Sequence, residues 1–460
     1  MDWKQFFKSK KVTLMGLGLL GRGVGDAIFL AECGADLIVT DLRDTKTLAP
    51  SLAKLKRFRN INYTLSEHKL EDFRNRNFIL KAAGVPLDSP FITEALKNNI
   101  QIEMDASLFA RLLTPERSDG GQAKLAPVGV TIVGITGTRG KSTTTALIYE
   151  ILKRAKKKVY KGGNLVPEAT LPLMKKVRAG DIVVLELDSW QLQGFHDAKI
   201  SPHVAVFTTF LDDHLSYYKN NRDIYFSDKT AIFKYQKSGD VLVVGEQAAS
   251  FISSKTAIIA RSADIPKGWK IKLLGEHNRE NISCAVAAAR ALGISDAVIK
   301  KVVENFDGLP NRLEYLRTIR GIKIYNDNNA TTPDATVAGL KALGTRQNII
   351  LICGGTDKGL DMSKLVEEIP KHCKTVVLLK ESGTEKLLSE FPLMKGGATR
   401  LRVGDVFVKE TLKECVKEAM NTAKKGDIIL FSPAFASFGK WFKNEYDRGE
   451  QFVVLVKKLK

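Results

Sequence analysis

Three stretches of the chain repeat one hydrophobic pattern: a short apolar run, a glycine-bearing turn, then apolar residues at helical spacing. In "VTIVGITGTRGKSTTTALIYEIL" the run Val130 to Ile135 is apolar and rich in β-branched residues, as a buried parallel strand should be. Thr143 to Leu152 then carries apolar residues at helical spacing. Earlier, "KVTLMGLGLLGRGVGDAIFLAECGADLIVTD" predicts strand, glycine turn, helix and second strand. Towards the end, "NIILICGGTDKG", "TVVLLKESG" and "GDIILFSPAFASFG" predict further strands that each run into a glycine-containing turn. Alternation of strand and helix implies parallel α/β architecture, here in three segments. The polar, turn-rich "TPERSDGGQAKLAP" separates the first two, and Gly308 and Pro310 in "ENFDGLPNRLE" mark the second boundary. The reading is a Rossmann-like domain over 1–113, a phosphate-loop domain over 128–309 and a Rossmann-like α/β domain over 310–460.

A length of 460 residues suits several domains, and 44% apolar with 27% charged residues describes a soluble globular protein. No apolar run is long enough to cross a bilayer, and the first strand begins where a cleavable signal would lie. Five cysteines, an odd number with no Cys-x-x-Cys, fit a reducing cytoplasm. The formal charge of +20 would ordinarily suggest nucleic acid. Its clusters, such as "RAKKKVY" and "VLVKKLK", lack the interleaved aromatics of a nucleic-acid groove, so a basic surface for anionic substrates is preferred, with neither nucleic acid nor membrane as partner.

The glycine turns carry the chemistry. After the central strand, the amides of Thr138, Arg139 and Gly140 and the open helix N-terminus are expected to face an anion. Lys141 adds a charge and Ser142 a hydroxyl for a metal. The loop is a variant, because the strict phosphate-loop pattern places glycine where Ile135 stands. Glu186 ends the strand of "GDIVVLELDSWQLQ", where such proteins hold the nucleotide's metal, and Asp213-His214 follows another strand. Asn278 and Asn281, three apart on a helix face, suit either capping or ligand contact. In the first segment Gly16-x-Gly18-x-x-Gly21 with Asp41 completes a fingerprint for a diphosphate-bearing ligand, either a dinucleotide or a nucleotide sugar.

Taken together, Thr136-Gly137-Thr138-x-Gly140-Lys141-Ser142, Leu185-Glu186-Leu187-x-Ser189-x-Gln191-Leu192, Asp213-His214-Leu215, Lys229-x-x-Ile232-Phe233 and His277-Asn278-x-x-Asn281 resemble the Mur ligases in order and spacing. The tail "LFSPAFASFGKWFKNEYDRGEQF" is similar to that of the members that take D-glutamate. The resemblance implies an ATP- and Mg²⁺-dependent amide ligase of peptidoglycan precursor synthesis. It would join D-glutamate to UDP-N-acetylmuramoyl-L-alanine through an acyl phosphate, acting as a cytoplasmic monomer. It further implies that Gly18, Leu19, Leu20, Asp41, Gly84 and Asn164 bind the UDP-substrate. ATP would be bound by Gly137, Thr138, Arg139, Gly140, Lys141, Ser142, Thr143, Asn281, Arg312 and Asp327. Ser142, Glu186, His214 and a carbamylated Lys229 would serve the metal ions, with Lys141, His214 and Lys229 catalytic. Thr331, Lys358 and Ser437 would take the amino acid.

The chain departs from the family pattern in places. Ala82-Ala83 stands for Ser-Pro, Arg139 for Asn, Thr209 for Asn, Ser216 for an acid, Asn311 for His, Asn328-Asn329 for Ser-Lys and Thr332 for Asn, and the tail is one residue longer between Ser437 and Arg448. Loss of lysine at Asn329 removes a positive contact near the reacting groups. Other readings are a superfamily ligase with another amino acid or with folate, a nicotinamide-dependent oxidoreductase, which leaves Lys141 unexplained, and a nucleic-acid-stimulated ATPase.

Overall fold

A computed structural model describes residues 3–113, 129–165, 168–214, 217–344, 346–390, 405–437 and 441–459. The linker 114–127, Leu215, Ser216 and the tail residues 438–440 lie outside them. The chain packs as two compact units, one from residues up to 267 together with 280–302, the other from 268–279 and from 303 onward. Among the described residues, the first unit contains two sheets and the second contains one.

In the first sheet, β1 (Lys11–Met15), β2 (Asp36–Asp41), β3 (Ile61–Leu65), β4 (Phe78–Lys81) and β5 (Gln101–Glu103) run parallel in the order β3-β2-β1-β4-β5. In the second, β6 (Thr131–Thr136), β7 (Val159–Gly163), β8 (Ile182–Glu186), β9 (Val204–Phe207), β10 (Val241–Gly245) and β11 (Ile258–Ala260) are ordered β11-β10-β9-β6-β8-β7, again all parallel. Both orders reverse beside the first strand, which opens a crevice at the strands' carboxyl ends where α/β proteins bind ligands. The glycine turns after β1 and β6 lie at these two reversals.

Apolar runs without polar alternation make these strands central. All five residues of β8 and all four of β9 are buried. Close approach also requires glycine at particular points: a Cβ on Gly134 in β6 would stand 2.4 Å from Pro202 Cγ. One continuous apolar core serves both sheets of this unit, with Phe7, Phe29 and Leu37 at one end and Leu187, Phe195 and Phe207 at the other. Phe109, Leu112 and Leu171 also belong to it.

The second unit holds β12 (Glu314–Ile319), β13 (Ile322–Asn326), β14 (Ile349–Cys353), β15 (Cys373–Leu379), β16 (Val406–Lys409) and β17 (Ile428–Phe431), ordered β12-β13-β17-β14-β15-β16. Only β12 is antiparallel to its neighbour. Its alternating exposure marks it as an edge strand. The strands expected from the apolar runs thus form within mixed α/β architecture dominated by parallel sheets.

Candidate functional site

The turn between β6 and the helix Lys141–Arg154 is built on two left-handed glycines, Gly137 at φ 142° and Gly140 at φ 87°. A Cβ on Gly140 would meet Asn281 Oδ1 at 2.1 Å, so the loop packs against Asn281 without room for a side chain. Asn278 instead donates to the Leu274 carbonyl at 2.8 Å, the capping alternative. Two of the loop amides expected to face an anion are engaged within the protein. The amides of Thr138 and Arg139 donate to Thr209, to its carbonyl at 2.7 Å and its hydroxyl at 2.9 Å. The anion cradle therefore falls to the helix start, where the first-turn amides have no intrahelical partner. Thr143 is buried in that turn beside Ser142.

Lys141 is half-buried. It is the first residue of the helix, and its ammonium folds back onto the carbonyls of Gly137 at 2.9 Å and Thr138 at 3.1 Å. Lys229, 1% exposed on the helix Arg222–Lys234, donates to the same Gly137 carbonyl at 3.0 Å. Two ammonium groups thus converge on one oxygen. Burial lowers the pKa of both lysines, and for Lys229 the neighbouring Lys141 charge pushes further in the same direction, well below the ordinary lysine value. Tyr225, one helical turn before Lys229, places its ring 4.8 Å from Nζ and its hydroxyl 3.2 Å from Thr138 Oγ1.

Glu186 ends β8 almost fully buried, and its Oε2 has no hydrogen-bond partner among the described residues. A buried carboxylate oxygen left unpaired is costly, and a hard cation would satisfy it. The donor set fits Mg²⁺: the Glu186 oxygen, the Ser142 hydroxyl in the first turn of the neighbouring helix, and phosphate oxygens. Among the described residues no three His, Cys, Asp or Glu side chains form a metal-holding group. A cation here would therefore need the hydroxyl and ligand oxygens as well.

Asp213 pairs with Arg139 Nη1 at 2.9 Å, and His214 Nε2 lies 3.7 Å from the same carboxylate oxygen. Arg139 thereby ties the glycine loop to the Asp213-His214 turn, and the Thr208 and Thr209 hydroxyls both donate to its carbonyl. His214 adopts φ 56°, a left-handed conformation that is strained for a non-glycine residue and common at functional sites. Its ring is 6.3 Å from that of Tyr225, so Tyr225 neighbours both His214 and Lys229.

In the first sheet, Gly16, Gly18 and Gly21 all have positive φ. The Asp41 carboxylate closes the loop over them, accepting from Gly18 N at 2.9 Å and from Arg43 N at 2.9 Å. Leu19 and Leu20 stand exposed on this loop. Asn164 donates its backbone amide to the Glu186 carbonyl at 2.7 Å and accepts Arg22 Nη2 on its side-chain oxygen at 2.9 Å. The helix after the glycine fingerprint is thus linked through Arg22 to Asn164, and through Asn164 to Glu186; the sequence pattern did not single out Arg22, although it directly follows Gly21.

The second unit gathers its own group of loops at the carboxyl ends of β13, β17 and β14. Ala434 N donates to Ala330 O at 2.8 Å, and Thr356 and Ala436 exchange amide hydrogen bonds at 3.0 and 3.1 Å. The loops bearing Thr331, Lys358 and Ser437 are thereby joined. Arg448, 0% exposed, holds them from the helix Glu445–Lys457, donating to Asn328 Oδ1 at 2.8 Å, Asn328 O at 3.0 Å and Phe435 O at 3.2 Å. Its three acceptors are neutral, and burial lowers its pKa to about 10. Asn329, Asn328 and Asn311, three of the departures noted above, belong to this network, with Asn329 N donating to Asn311 O at 3.0 Å. A cation therefore lies next to the position where the family lysine is missing.

Asp327 follows β13, its oxygens accepting from Leu313 N at 2.9 Å and Ser432 Oγ at 2.9 Å, close to Arg312, whose charge acts on it. Burial raises its pKa to about 7. Between the unfolded value of about 3.9 and 7, the folded chain binds the extra proton, so stability falls as pH rises through that window and the deficit persists above it. Asp327→Asn is expected to raise the melting temperature relative to the native chain near pH 8, but not near pH 4, with about 1.4 kcal/mol at stake per pKa unit. Parallel melting curves at the two pH values check this.

The family pattern of the Mur ligase middle domain matches residues 135–264, and that of the Mur ligase glutamate ligase domain matches residues 311–435. The chain belongs to the Mur ligase family. Within it, the chain is 33% identical to the UDP-N-acetylmuramoylalanine–D-glutamate ligase of Roseiflexus sp. (strain RS-1), covering 96% of this chain and 97% of that protein. It is 32% identical to the enzyme of the same name from Borreliella burgdorferi (strain ZS7), covering 98% of each. Among solved structures, UDP-N-acetylmuramate-alanine ligase from Thermotoga maritima shares the fold, with a TM-score of 0.60 at 19% identity over 98% of this chain and all of that one. So does E. coli FolC in complex with DHPP and ADP, with a TM-score of 0.54 at 19% identity over 82% of this chain and 99% of that one. No helix among the described residues is long and apolar enough to cross a membrane.

Proposed function

We propose that this chain joins D-glutamate to the L-alanine carboxylate of UDP-N-acetylmuramoyl-L-alanine at the expense of ATP, in three domains that hold UDP, ATP and the amino acid in chain order. The observation that carries this reading is the convergence of Lys141 and Lys229 beside the unpaired Glu186 oxygen, in a chain similar from end to end to D-glutamate ligases. Five buried cysteines, none in a disulfide, support a cytoplasmic setting.

The substrate carboxylate attacks the γ-phosphorus, the bond to the ADP oxygen breaks, and an acyl phosphate forms. Lys141 and the helix N-terminus stabilise the charge that develops on the transferring group. Ser142 and Glu186 would hold one Mg²⁺, and His214 and carbamylated Lys229 a second, and the bound ions would supply further charge neutralisation. Lys229 suits the adduct because its lowered pKa favours the neutral amine that reacts with CO₂. The amine of D-glutamate then attacks the acyl carbon, inorganic phosphate departs, and the nitrogen loses a proton. Lys358, with Thr331 and Ser437, pairs with the carboxylates of D-glutamate, and the buried Arg448 charge favours a dianionic ligand in the same loops.

Phosphate release measured against a panel of amino acids tests the assignment. D-glutamate should support it, and L-glutamate, whose amine points away from the acyl carbon, should not. Lys358→Ala is expected to raise the KM for D-glutamate about tenfold or more, the usual cost of a lost charge-assisted hydrogen bond, with little change in the KM for ATP. Equal release with L-glutamate, or release with no amino acid present, contradicts the reading.

A further inference from the structure

Trp190 occupies a position that the Leu-Glu-Leu-x-Ser-x-Gln-Leu motif leaves open. It sits in the first turn of the helix Ser189–Asp197, which Asp188 caps by accepting from Gln191 N at 2.8 Å. One side of its indole lies against His214, with ring centroids 4.7 Å apart, and Tyr217 is 5.1 Å away. A Cβ built on Gly84 would stand 3.9 Å from its Cζ3. The indole therefore neighbours both the Gly84 loop and His214. That loop is held from beneath by Lys81, 3% exposed, which donates to Val85 O at 2.9 Å and Ala83 O at 3.4 Å.

Within this packing the indole Nε1 is shut off from solvent and has no hydrogen-bond partner among the described residues. The Tyr217 hydroxyl donates to Gln193 Oε1 at 3.3 Å, and Gln193 Nε2 and the Tyr218 hydroxyl both donate to Asp228, so these three groups are engaged elsewhere. A tryptophan N–H can only donate, and burying it unpaired is unfavourable unless an acceptor arrives. Phenylalanine would keep an aromatic ring in this packing without that cost.

We infer that the Trp190 N–H is a substrate-binding donor, which receives a carbonyl or carboxylate oxygen of the acyl arm of the UDP-linked substrate as that arm runs from the Gly84 loop to His214. The inference rests on the proposed function, since it takes the acyl arm to lie between these two groups. It assigns this chain a contact for the arm itself rather than for the nucleotide.

The test uses the full chain with ¹⁵N-labelled indoles. Trp3, Trp190, Trp269 and Trp441 contribute four N–H resonances. That of Trp190 is identified by its absence in Trp190→Phe, or by elimination from the other three Trp→Phe variants should that protein not fold. Adding UDP-N-acetylmuramoyl-L-alanine without ATP is expected to move this resonance downfield, as a newly made hydrogen bond does, while UDP alone leaves it in place. Trp190→Phe should raise the KM for the UDP-substrate about tenfold with the KM for ATP and the melting temperature unchanged. An unmoved resonance at saturating substrate, an equal shift with UDP alone, or an unchanged KM each overturns the inference. Absence of D-glutamate-dependent phosphate release by the native protein would instead overturn the parent reading.

Discussion

Lys229→Ala is expected to abolish ligase turnover, lowering it by about a thousandfold or more, the scale on which a central electrostatic group acts. The loss should come from chemistry and not from packing. The Gly137 carbonyl that Lys229 bonds keeps Lys141 as a donor, and the deleted group is an ammonium that burial already disfavours. A melting temperature within a few degrees of the native value is therefore expected. Because the proposed active form is a carbamate, acetate or formate in solution should enter the vacated space and restore part of the rate, and rigorous removal of CO₂ should slow the native enzyme. Indifference to both treatments would show that Lys229 does not act through an adduct.

Lys141→Ala should lower ATP turnover by about a hundredfold to a thousandfold, since in the proposed mechanism its charge stabilises the transferring phosphoryl group. Its effect on stability should be small or favourable. A cation in the first turn of a helix opposes the helix dipole, and burial already lowers the Lys141 pKa. Steady-state phosphate release alongside a melting curve separates the two effects. Substantial turnover in the variant would exclude this loop as the ATP site, and a large drop in melting temperature would show that the two carbonyl contacts of Lys141 are structural.

Arg139 shows how a departure from the family pattern acquires a meaning in the fold. In the sequence it is only an extra positive charge beside the phosphates. In the structure it is paired with Asp213, so it connects the nucleotide loop to the turn that presents His214. The asparagines at 311, 328 and 329 behave similarly. Along the chain they are missing basic or hydroxyl groups, whereas in the second unit they belong to the network around a buried arginine.

Local chemistry was legible without the structure wherever a function depends on neighbours in the chain. The strands before Gly16 and Gly137, the left-handed glycines after them and the helices that follow depend on apolar runs and on backbone conformations open to glycine, all within about twenty residues. The same holds for Glu186 at a strand end and for Asp41 at the end of the second strand. What the chain could not show is which distant groups meet. Lys229 reaches Gly137 across 92 residues, Arg22 reaches Asn164 across 142, and Arg448 reaches Asn328 across 120. Those meetings follow from strand order, which side-chain periodicity does not encode, since any buried parallel strand reads alike. Tertiary packing also decided the protonation chemistry. A lysine is an ordinary surface cation until burial and a second ammonium lower its pKa, and only the fold brings Lys141 and Lys229 to one carbonyl oxygen.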